Sequence, residues 1–306
     1  MIKIIVSEND GGKRIDRLVR EELNCCSLGE IFRLFRTRRV SINGIKCKES
    51  ERVKFGDEIL IFADKDELKN KSAQKIKIIN KNNFQLIYED KNLIVCNKLS
   101  GVASQPGKGI PSGTSLIELA RNYADEKFVP YLIHRIDADT SGVILIAKDI
   151  DFLRSLQNIW NSEFVKKEYV AVCFGNFDQK NGKIDLKLER TSKEAAGMKM
   201  KVTEHGGLRS ISQYKIISQN ENCAIVSVEI NTGRTHQIRT HFAYINHCLL
   251  GDKRYGNNQA DKAIEEKSGL KINRLMLHSH KISFFLNKKQ YSFSAQIPDI
   301  FHKFIK

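Results

Sequence analysis

The stretch HRIDADTSGVILIAK (134–148) places two acids, Asp137 and Asp139, behind a His-Arg pair and directly before an apolar run. Its second half, VILIAK, is a strand-sized run of branched apolar residues, which is typical of a buried strand. The simplest interpretation is a loop that closes onto this strand, with the acids as turn formers and Arg135 as their ion-pair partner. The alternative is a loop that presents a reactive carboxylate. The other motifs of the chain distinguish the two interpretations.

Further strands and helices surround this stretch, and together they predict the fold class. Helical spacing of apolar residues predicts helices in TSLIELARNY (114–123) and FLRSLQNIWNSEF (152–164), the second with Phe152, Leu156, Ile159 and Trp160 on one face. The order of the elements shows no regular βαβ rhythm, so we expect an α+β domain with a mixed, largely antiparallel sheet flanked by helices and loops. The other predicted strands are LIVCNK (93–98), YVAVCF (169–174) and AIVSVEI (224–230).

A smaller αβ unit precedes this domain. Apolar residues at helical spacing, Ile15, Leu18 and Val19 and then Ile31, Leu34 and Phe35, predict two helices in residues 13–23 and 27–40. Two short strands follow, in VSING (40–44) and DEILIF (57–62), with turns at Asn43-Gly44 and Gly56-Asp57. The charged, apolar-poor stretch 64–82 predicts a linker. The chain is therefore predicted to divide into domains 1–63 and 83–306.

Basic residues are concentrated in the first unit. Residues 31–48 hold six basic residues and no acid, with Arg33, Arg36, Arg38 and Arg39 crowded at the end of the second helix. Cations at that end also suit the helix dipole, although four exceed what a cap needs. The 306-residue chain carries a formal net charge of +15 at pH 7. This charge favours a polyanionic partner, most simply nucleic acid, whereas a generally lysine-rich proteome is the alternative explanation.

Metal and nucleotide chemistry find little support in the sequence. His236, His241 and His247 lie close together in THQIRTHFAYINH (235–247), but no Cys or acid joins them at the spacing of zinc ligands. HRIDADT superficially resembles a kinase catalytic loop, yet the glycine-rich loop and the other kinase motifs are missing, as are a Walker sequence and a Gly-x-Ser-x-Gly elbow. We therefore expect no metal and no nucleotide cofactor.

The sequence also predicts where the protein works. Its seven cysteines are scattered and form no Cys-x-x-Cys pair, which favours reduced thiols in the cytoplasm. The longest apolar runs are far shorter than the ~20 residues of a membrane span. The N-terminal MIKIIVSEND turns acidic too early for a signal peptide. We expect a cytoplasmic protein that does not associate with membranes.

Five ordered segments carry a resemblance to a known family. With HRIDADTSGVILIAK, these are LIYEDKNLIVCNKLSGVASQPG (86–107), KKEYVAVCFG (166–175), NTGRTHQIRTHFAYINHCLLGDKRYG (231–256) and RLMLHSHKISF (274–284). They resemble the RluA-type pseudouridine synthases, most closely the RluC and RluD branch of ribosomal large-subunit enzymes. The Arg14-Ile15-Asp16 start, the Arg-rich helix, the VSING turn and the Gly56-Asp57 close of the first unit resemble an S4 RNA-binding domain.

The resemblance implies roles for individual residues. Asp137 matches the catalytic aspartate, with Asp139 as a neighbouring acid, Tyr169 matches the tyrosine that contacts the target base, and Arg239 matches the residue that pairs with the carboxylate. Leu277 lies near the apolar residue that packs by the base. Substrate contacts are also implied for His134 and Arg135, with support of the loop as the equal alternative, and for Arg234. In the S4-like unit, RNA would be gripped by Arg33, Arg36, Arg38 and Arg39, while Lys98, Arg190 and Lys199 are either extensions of this basic track or ordinary solvated charges.

The implied reaction explains these residue types. Pseudouridine formation breaks the N1 glycosidic bond, turns the uracil and rejoins it through C5, which requires neither a cofactor nor a metal. The carboxylate either attacks the sugar or removes a sugar proton, and both routes stay open. Two departures from the family pattern are Leu99 in place of a proline and Ala138 in place of a longer, often basic residue.

These implications predict a monomeric RNA uridine isomerase that acts on 23S large-subunit ribosomal RNA. The alternatives are the same reaction on transfer RNA and a non-catalytic RNA-binding assembly factor. Against the assembly factor stands the joint presence of Asp137, Tyr169 and Arg239, which RNA binding alone would not require.

Overall fold

The computed structural model describes residues 1–23, 28–63, 84–107, 109–191 and 199–305. The predicted linker, 64–82, lies outside these residues, and the predicted domain boundaries stay predictions. The chain divides into two compact units, which are described separately. The first comprises Met1–Lys81 with Gln105–Tyr123, and the second comprises Asn82–Ser104 with Ala124–Lys306.

The first unit contains a small antiparallel sheet and two amphipathic helices, α1 (Ile15–Glu22) and α2 (Leu28–Arg36). The strands β1 (Ile2–Ile5), β2 (Val40–Ile42), β3 (Ile45–Lys46) and β4 (Glu58–Ile61) pair in the order β1-β4-β2-β3. The predicted apolar faces of both helices are buried in one core with Ile59 and Ile61. The Asn43-Gly44 turn has positive φ angles, 49° and 77°, as a tight hairpin requires. The segment Gln105–Tyr123 contains most of α3 (Leu116–Ala124).

The second unit is built on a large mixed sheet. Its strands are β5 (Phe84–Glu89), β6 (Leu93–Lys98), β7 (Tyr131–Leu132), β8 (Ser141–Ala147), β9 (Val165–Phe174), β10 (Asn181–Arg190), β11 (Met200–Thr203), β12 (Leu208–Gln219), β13 (Cys223–Ile230), β14 (Leu277–Leu286) and β15 (Lys289–Ser294). They run in the order β11-β10-β12-β13-β9-β14-β8-β6-β5, with β15 beside β14 and β7 beside β8. In the described residues, the only parallel pairing within this sheet joins β8 to β14 and all others are antiparallel, so the predicted α+β class and mixed sheet are confirmed.

Helices cover parts of this sheet. They are α4 (Ile150–Ile159), α5 (Gln237–Tyr244), α6 (Asn258–Ser268) and α7 (Asp299–Lys303). In α4, Phe152 and Leu156 are buried as predicted, while Trp160 lies just past the end of the helix. Every residue of β8 is buried, which explains why its sequence is an unbroken apolar run. By contrast, exposed positions of β10 alternate with half-buried or buried ones, and its largely polar sequence gave no strand prediction.

The described residues also bear on membrane association and on the state of the cysteines. No helix among them is long and apolar enough to cross a membrane. The described cysteines, at positions 47, 96, 173, 223 and 248, all carry free thiols. Three of these thiols, those of Cys96, Cys173 and Cys223, are buried, and burial raises the pKa of the Cys223 thiol to about 11. Buried thiols of this kind are chemically inert.

The register of β14 brings the predicted site together. Ser279 pairs with Gly142 at the start of β8 on one side and with Tyr169 of β9 on the other. The approach at Gly142 is so close that a Cβ would lie 2.1 Å from the Ser279 carbonyl oxygen, and its φ of 114° also favours glycine. The loop before β8, which contains Asp137, is therefore held beside Tyr169.

A tight segment before α6 delivers a further acid to this region. The amide of Leu250 donates to the Val172 carbonyl at 2.9 Å, and the amide of Met276 donates to the Leu250 carbonyl at 2.9 Å. Gly251 follows with a φ of 71°, and a Cβ there would lie 1.9 Å from the Arg274 carbonyl oxygen. The chain then turns to place Asp252 in the interior, where its side chain has no exposed surface.

Replacing Gly251 by alanine should therefore destabilise the protein strongly. We expect the free energy of unfolding to fall by about 3 kcal/mol or more, because backbone atoms cannot yield as a flexible side chain does. Gly269 is the matched control, since its φ of 69° is nearly the same and no atom lies within 4 Å of its ideal Cβ. Gly269→Ala should cost only about 1 kcal/mol. Urea unfolding of both variants measures the difference, and equal losses would show that the close approach at Gly251 is unimportant.

Candidate active site

Asp137 lies in the loop between β7 and β8, and the segment after β6 fixes this loop by its carbonyl groups. Ser104 Oγ donates to the Ile136 carbonyl at 2.6 Å, and Ser100 Oγ donates to the Asp139 carbonyl at 2.6 Å. The Gly101 amide donates to the Ala138 carbonyl at 2.9 Å. The backbone on both sides of Asp137 is thus immobilised, while its carboxylate stays 24% exposed and open to a substrate.

Lys98 supports the same loop from inside the protein. Its ammonium is fully buried and donates to the carbonyl oxygens of Leu99, Val102 and Ala138 at 2.9, 2.6 and 2.8 Å. Burial lowers the pKa of Lys98 to about 7. Lys98 is therefore neither an extension of the basic track nor an ordinary solvated charge, the two alternatives that the sequence left open. Its hydrogen bonds restrain the turn at Leu99, where the family pattern has a proline.

Arg239 on α5 connects two carboxylates. Its Nε and Nη2 donate to Asp252 Oδ2 and Oδ1, both at 2.7 Å, and its Nη1 donates to Asp137 Oδ2 at 2.9 Å. The side chain is only 8% exposed. Burial would lower the pKa of the guanidinium, but its bonds to Asp252 and the charges of both acids outweigh this and raise it. Arg239 is therefore a permanent cation beside Asp137.

Asp252 orients this arginine and was not predicted from the sequence. Besides Arg239, its Oδ1 accepts from the amides of Arg254 and Tyr255 at 3.0 and 3.1 Å. Burial would raise the pKa of Asp252, but these hydrogen bonds and the Arg239 charge lower it overall. The Gly-Asp of GDKRYG (251–256) was the available signal, but nothing in its spacing indicates a contact with Arg239.

Tyr169 is buried on β9 and faces the same pocket as Asp137. Burial raises the pKa of its phenol to about 12, so the hydroxyl keeps its proton at neutral pH. The ring can therefore offer an apolar face to a base, and the hydroxyl can donate a hydrogen bond there.

One open pocket in the second unit gathers most of the predicted site residues. Its lining includes Asp137, Tyr169, Arg239, Leu277, Arg135 and Arg234. Leu277 is buried, whereas the side chains of Arg135 and Arg234 are exposed. The pocket also contains Ile136, Thr140, Ile230, Gly233, His236, Gln237 and Ile238.

His134 points away from this pocket. Its Nε2 accepts a hydrogen bond from the Leu145 amide at 3.1 Å, and its ring stacks on Trp160 with 4.6 Å between the ring centroids. Burial lowers the pKa of His134 to about 3, so the imidazole is neutral. This geometry favours the support of the loop over a contact with RNA, although the support does not come from an ion pair with Asp139.

The histidines that were considered as metal ligands have other partners. His236 Nδ1 lies 2.9 Å from the Tyr255 hydroxyl, His241 Nε2 lies 2.8 Å from Ser210 Oγ, and His247 Nδ1 lies 3.0 Å from the Phe174 carbonyl. No group of three or more metal-binding side chains occurs in the part of the chain that the structure describes. His236 lies in the pocket, which the sequence analysis did not predict.

The four predicted RNA-binding arginines lie in the first unit. Arg33, Arg36, Arg38 and Arg39 are all exposed at the end of α2 or just after it. Arg38 adopts a left-handed conformation with a φ of 58°, and the Arg39 amide donates to the Leu34 carbonyl at 2.8 Å. This closure of the helix turns the chain so that the arginines cluster at one exposed end.

Matches to family models and to curated relatives indicate the same protein family for this chain. Residues 92–244 match the model described as RNA pseudouridylate synthase, and residues 13–59 match the S4 domain. Ribosomal large subunit pseudouridine synthase C of Buchnera aphidicola subsp. Schizaphis graminum is 35% identical, over 92% of this chain and 88% of the relative. The Escherichia coli K12 protein of the same name is 30% identical, over 92% of this chain and 88% of its own length.

Solved structures share the fold. Human RNA Pseudouridylate Synthase Domain Containing 4 has a TM-score of 0.58 at 23% identity, covering 77% of this chain and 94% of its own. Human RNA Pseudouridylate Synthase Domain Containing 1 has a TM-score of 0.59 at 20% identity, covering 72% of this chain and 86% of its own. At these identities the likeness concerns the fold alone.

Asp252→Asn should destabilise the protein in a pH-dependent way. At pH 7 we expect a loss of about 3 kcal/mol, because Arg239 would keep a buried charge with one partner fewer. The pKa of Asp252 is lowered by folding, so its contribution is complete well above about pH 4 and disappears as the pH falls through the lower folded-state value. The difference from wild type should therefore shrink below about pH 4, as measured by urea unfolding.

Asp185→Asn provides the matched control for this variant. Arg209 binds Asp185 with the same two-pronged geometry, at 2.8 and 2.6 Å, but on the protein surface. We expect little change in stability there at any pH, because solvent screens exposed ion pairs. Equal effects of the two substitutions would contradict the structural role of Asp252.

Proposed function

Because the chain belongs to the RNA pseudouridylate synthase family, we propose that it converts specific uridines of 23S large-subunit ribosomal RNA to pseudouridine. One observation carries the proposal at the level of chemistry. The Asp137 carboxylate, partly exposed, lies 2.9 Å from the buried Arg239 cation in a pocket that Tyr169 and Leu277 also line. The choice of ribosomal RNA is supported by the names of the curated relatives, which are ribosomal large-subunit enzymes.

Asp137 is the catalytic carboxylate in this proposal. Either it attacks the sugar or it removes a sugar proton, and in both cases the uracil leaves with the electron pair of the glycosidic bond. Arg239 orients the carboxylate through Nη1 while Asp252 holds the other two nitrogens. The reacting oxygen is thus fixed before the substrate arrives, which is the main source of rate in such sites.

Tyr169 and Leu277 contain the detached base. Tyr169 lies on β9 and Leu277 on the neighbouring strand β14. Both side chains are buried and both line the pocket. The aromatic ring can stack on the uracil and the leucine excludes water, so that the base turns rather than escapes. The Tyr169 hydroxyl, which keeps its proton at neutral pH, would face the released base as a hydrogen-bond donor, and the C5 proton leaves to water in the last step.

RNA binding uses exposed cations in this proposal. Arg135 and Arg234 at the pocket contact phosphates or fill the gap left by the target base, whose flipping costs a few kcal/mol. In the first unit, Arg33, Arg36, Arg38 and Arg39 grip RNA through its backbone and shape. Ala138, which replaces a longer residue of the family pattern, removes one potential phosphate contact and so affects the choice of site.

The remaining parts of the proposal concern organisation. Residues 1–63 act as the RNA-anchoring module, 64–82 as a linker and 83–306 as the catalytic domain. The basic charge of the chain and the free thiols of its described cysteines support a cytoplasmic enzyme that works on RNA, and its monomeric state is part of the same proposal.

Mapping pseudouridine in total RNA tests this function. Cells that lack the gene should lose discrete pseudouridines in large-subunit ribosomal RNA, and wild type should restore them whereas Asp137→Asn should not. Asp139→Asn is the matched control two residues away and should restore them, because it keeps the backbone carbonyl that Ser100 binds and Asp139 does not line the pocket. Rescue by Asp137→Asn would contradict the role of this carboxylate, and a loss confined to transfer RNA would contradict the proposed substrate.

The S4-like arginines can be tested through salt dependence. Arg36→Gln with Arg39→Gln should weaken RNA binding and flatten the plot of log affinity against log salt by about 0.7–0.9 for each phosphate that the variant no longer binds. Lys262→Gln with Lys267→Gln makes the same charge change on α6 of the other unit and should leave the slope unchanged. Identical slopes for both double variants would show that the arginine cluster does not bind RNA.

A further inference from the structure

His236 has an unusual position at the start of α5. It precedes the helix in a left-handed conformation, with a φ of 53°, and its carbonyl accepts from the Thr240 amide at 2.9 Å. This turn directs the imidazole into the pocket, where Nε2 lies 3.9 Å from Asp137 Oδ2. That distance is too long for a hydrogen bond, so Asp137 does not engage the Nε2 group.

A short chain of hydrogen bonds determines which nitrogen of His236 carries the proton. The Met200 amide donates to the Tyr255 hydroxyl oxygen at 2.7 Å, and this hydroxyl lies 2.9 Å from His236 Nδ1. An amide can only donate, so it occupies one lone pair of the hydroxyl oxygen. His236 Nδ1 is the other described group within hydrogen-bond distance of that hydroxyl, and the phenol proton is satisfied if Nδ1 accepts it. A neutral imidazole whose Nδ1 accepts must carry its proton on Nε2.

The surroundings also keep His236 neutral. Burial lowers its pKa, and the charges of Arg239 and Arg254 act in the same direction, whereas Asp137 and Asp252 oppose them. A neutral ring leaves the negative charge of Asp137 available for the reaction. The Arg239 guanidinium carbon also lies over the Tyr255 ring, 5.2 Å from the ring centroid. This contact holds the tyrosine, and with it the hydroxyl, in place.

The two buried pocket side chains that carry nitrogen donors are already engaged. Each of the three nitrogens of Arg239 donates to Asp252 or Asp137. The Gln237 amide nitrogen donates to the Ile211 carbonyl at 2.9 Å and to Ser212 Oγ at 3.2 Å. By contrast, Nε2 of the partly buried His236 has no hydrogen-bond partner among the described residues, so its N–H is free to donate to a substrate in the pocket.

We propose that His236 is a further catalytic residue, whose Nε2–H donates a hydrogen bond to a carbonyl oxygen of the target uracil. This inference rests on the proposed function. When the bond between the sugar and N1 breaks, its electron pair stays with the uracil and spreads onto the carbonyl oxygens. A fixed donor at such an oxygen binds the charged base more strongly than the uridine and so lowers the barrier. His236 transfers no proton, and the same bond serves again while C5 attacks the sugar.

A pair of substitutions at His236 isolates this donor. His236→Gln keeps an N–H near the Nε2 position and His236→Ala removes it. Both variants place a non-glycine residue in the same left-handed backbone conformation, so their backbone strain is comparable. We expect His236→Ala to lower the single-turnover rate of pseudouridine formation about 100-fold with little change in RNA affinity. His236→Gln should recover most of that loss. His205→Ala, at an exposed histidine, is the control and should match wild type.

Modified RNA identifies the acceptor atom. Sulfur is a weaker acceptor than oxygen, so a 2-thiouridine or a 4-thiouridine at the target position should weaken the bond if it replaces the contacted carbonyl. With one of the two RNAs, the rate ratio between wild type and His236→Ala should fall from about 100-fold towards one. An undiminished ratio with both RNAs would contradict a bond to a uracil carbonyl.

The role of Tyr255 follows from the same chain of bonds. Tyr255→Phe keeps the ring over Arg239 but removes the proton that fixes the tautomer, so we expect a smaller rate loss of about 10-fold. In His236→Ala it should have no further effect, because it acts through the histidine. The exposed Tyr244→Phe is the control. Full additivity of the two substitutions would show that Tyr255 acts independently of His236.

A spectroscopic measurement separates this inference from the proposed function. Nitrogen-15 NMR of the histidines in the intact free enzyme should show His236 protonated on Nε2 at neutral pH and less uniformly so in Tyr255→Phe. If wild type modifies RNA but His236→Ala is equally fast, or loses affinity in proportion to rate, the inference fails while the function stands. If wild type modifies no RNA, the function fails, and an Nδ1–H signal for His236 would overturn the donor assignment by itself.

Discussion

Arg239 binds two carboxylates that come from different parts of the chain, Asp137 from the loop before β8 and Asp252 from the segment before α6. A buried guanidinium is costly unless its donors are satisfied, so the three segments must meet for the second unit to be stable. The same requirement assembles the proposed active site. Two nitrogens of Arg239 bind the structural acid Asp252 and one is left for Asp137, the proposed catalytic carboxylate, so the stability and the geometry of the site have one origin.

The rest of the second unit keeps this arrangement rigid. Lys98 and the hydroxyls of Ser100 and Ser104 bind the carbonyls of the loop around Asp137. The close approach of Gly142 to β14 places the loop beside Tyr169. The partly exposed Asp137 carboxylate is thus surrounded by backbone that hydrogen bonds hold in one conformation. Such rigidity suits a reaction in which a free base has to be retained. Mobility is left to exposed arginines such as Arg135 and Arg234.

Sequence patterns predicted the apolar elements well and the polar ones poorly. The runs that became β6, β8, β9 and β13 are buried on both faces, and such runs have few other interpretations. The strands β10 to β12, at one end of the sheet, went unpredicted, because many of their residues face solvent and are polar. In the site, Asp137, Tyr169, Arg239 and Leu277 were named through long ordered motifs. His236 was considered only as a metal ligand. For His134 an RNA contact and support of the loop were weighed equally, and its ring, stacked on Trp160, favours the support.

The sequence by itself determined the fold class, the family and the types of residue that carry the chemistry, because these depend on local periodicity and on ordered motifs. Tertiary structure alone decided which donors and acceptors meet. Asp252 and Arg239 are 13 residues apart, and Asp137 and Arg239 are 102 apart, and no spacing rule links such positions. The burial of Lys98 and the proton position on His236 likewise depend on carbonyls and hydroxyls that approach only in the folded chain. Hydrogen bonds act over about 3 Å, so partners far apart in sequence are defined by packing and not by pattern.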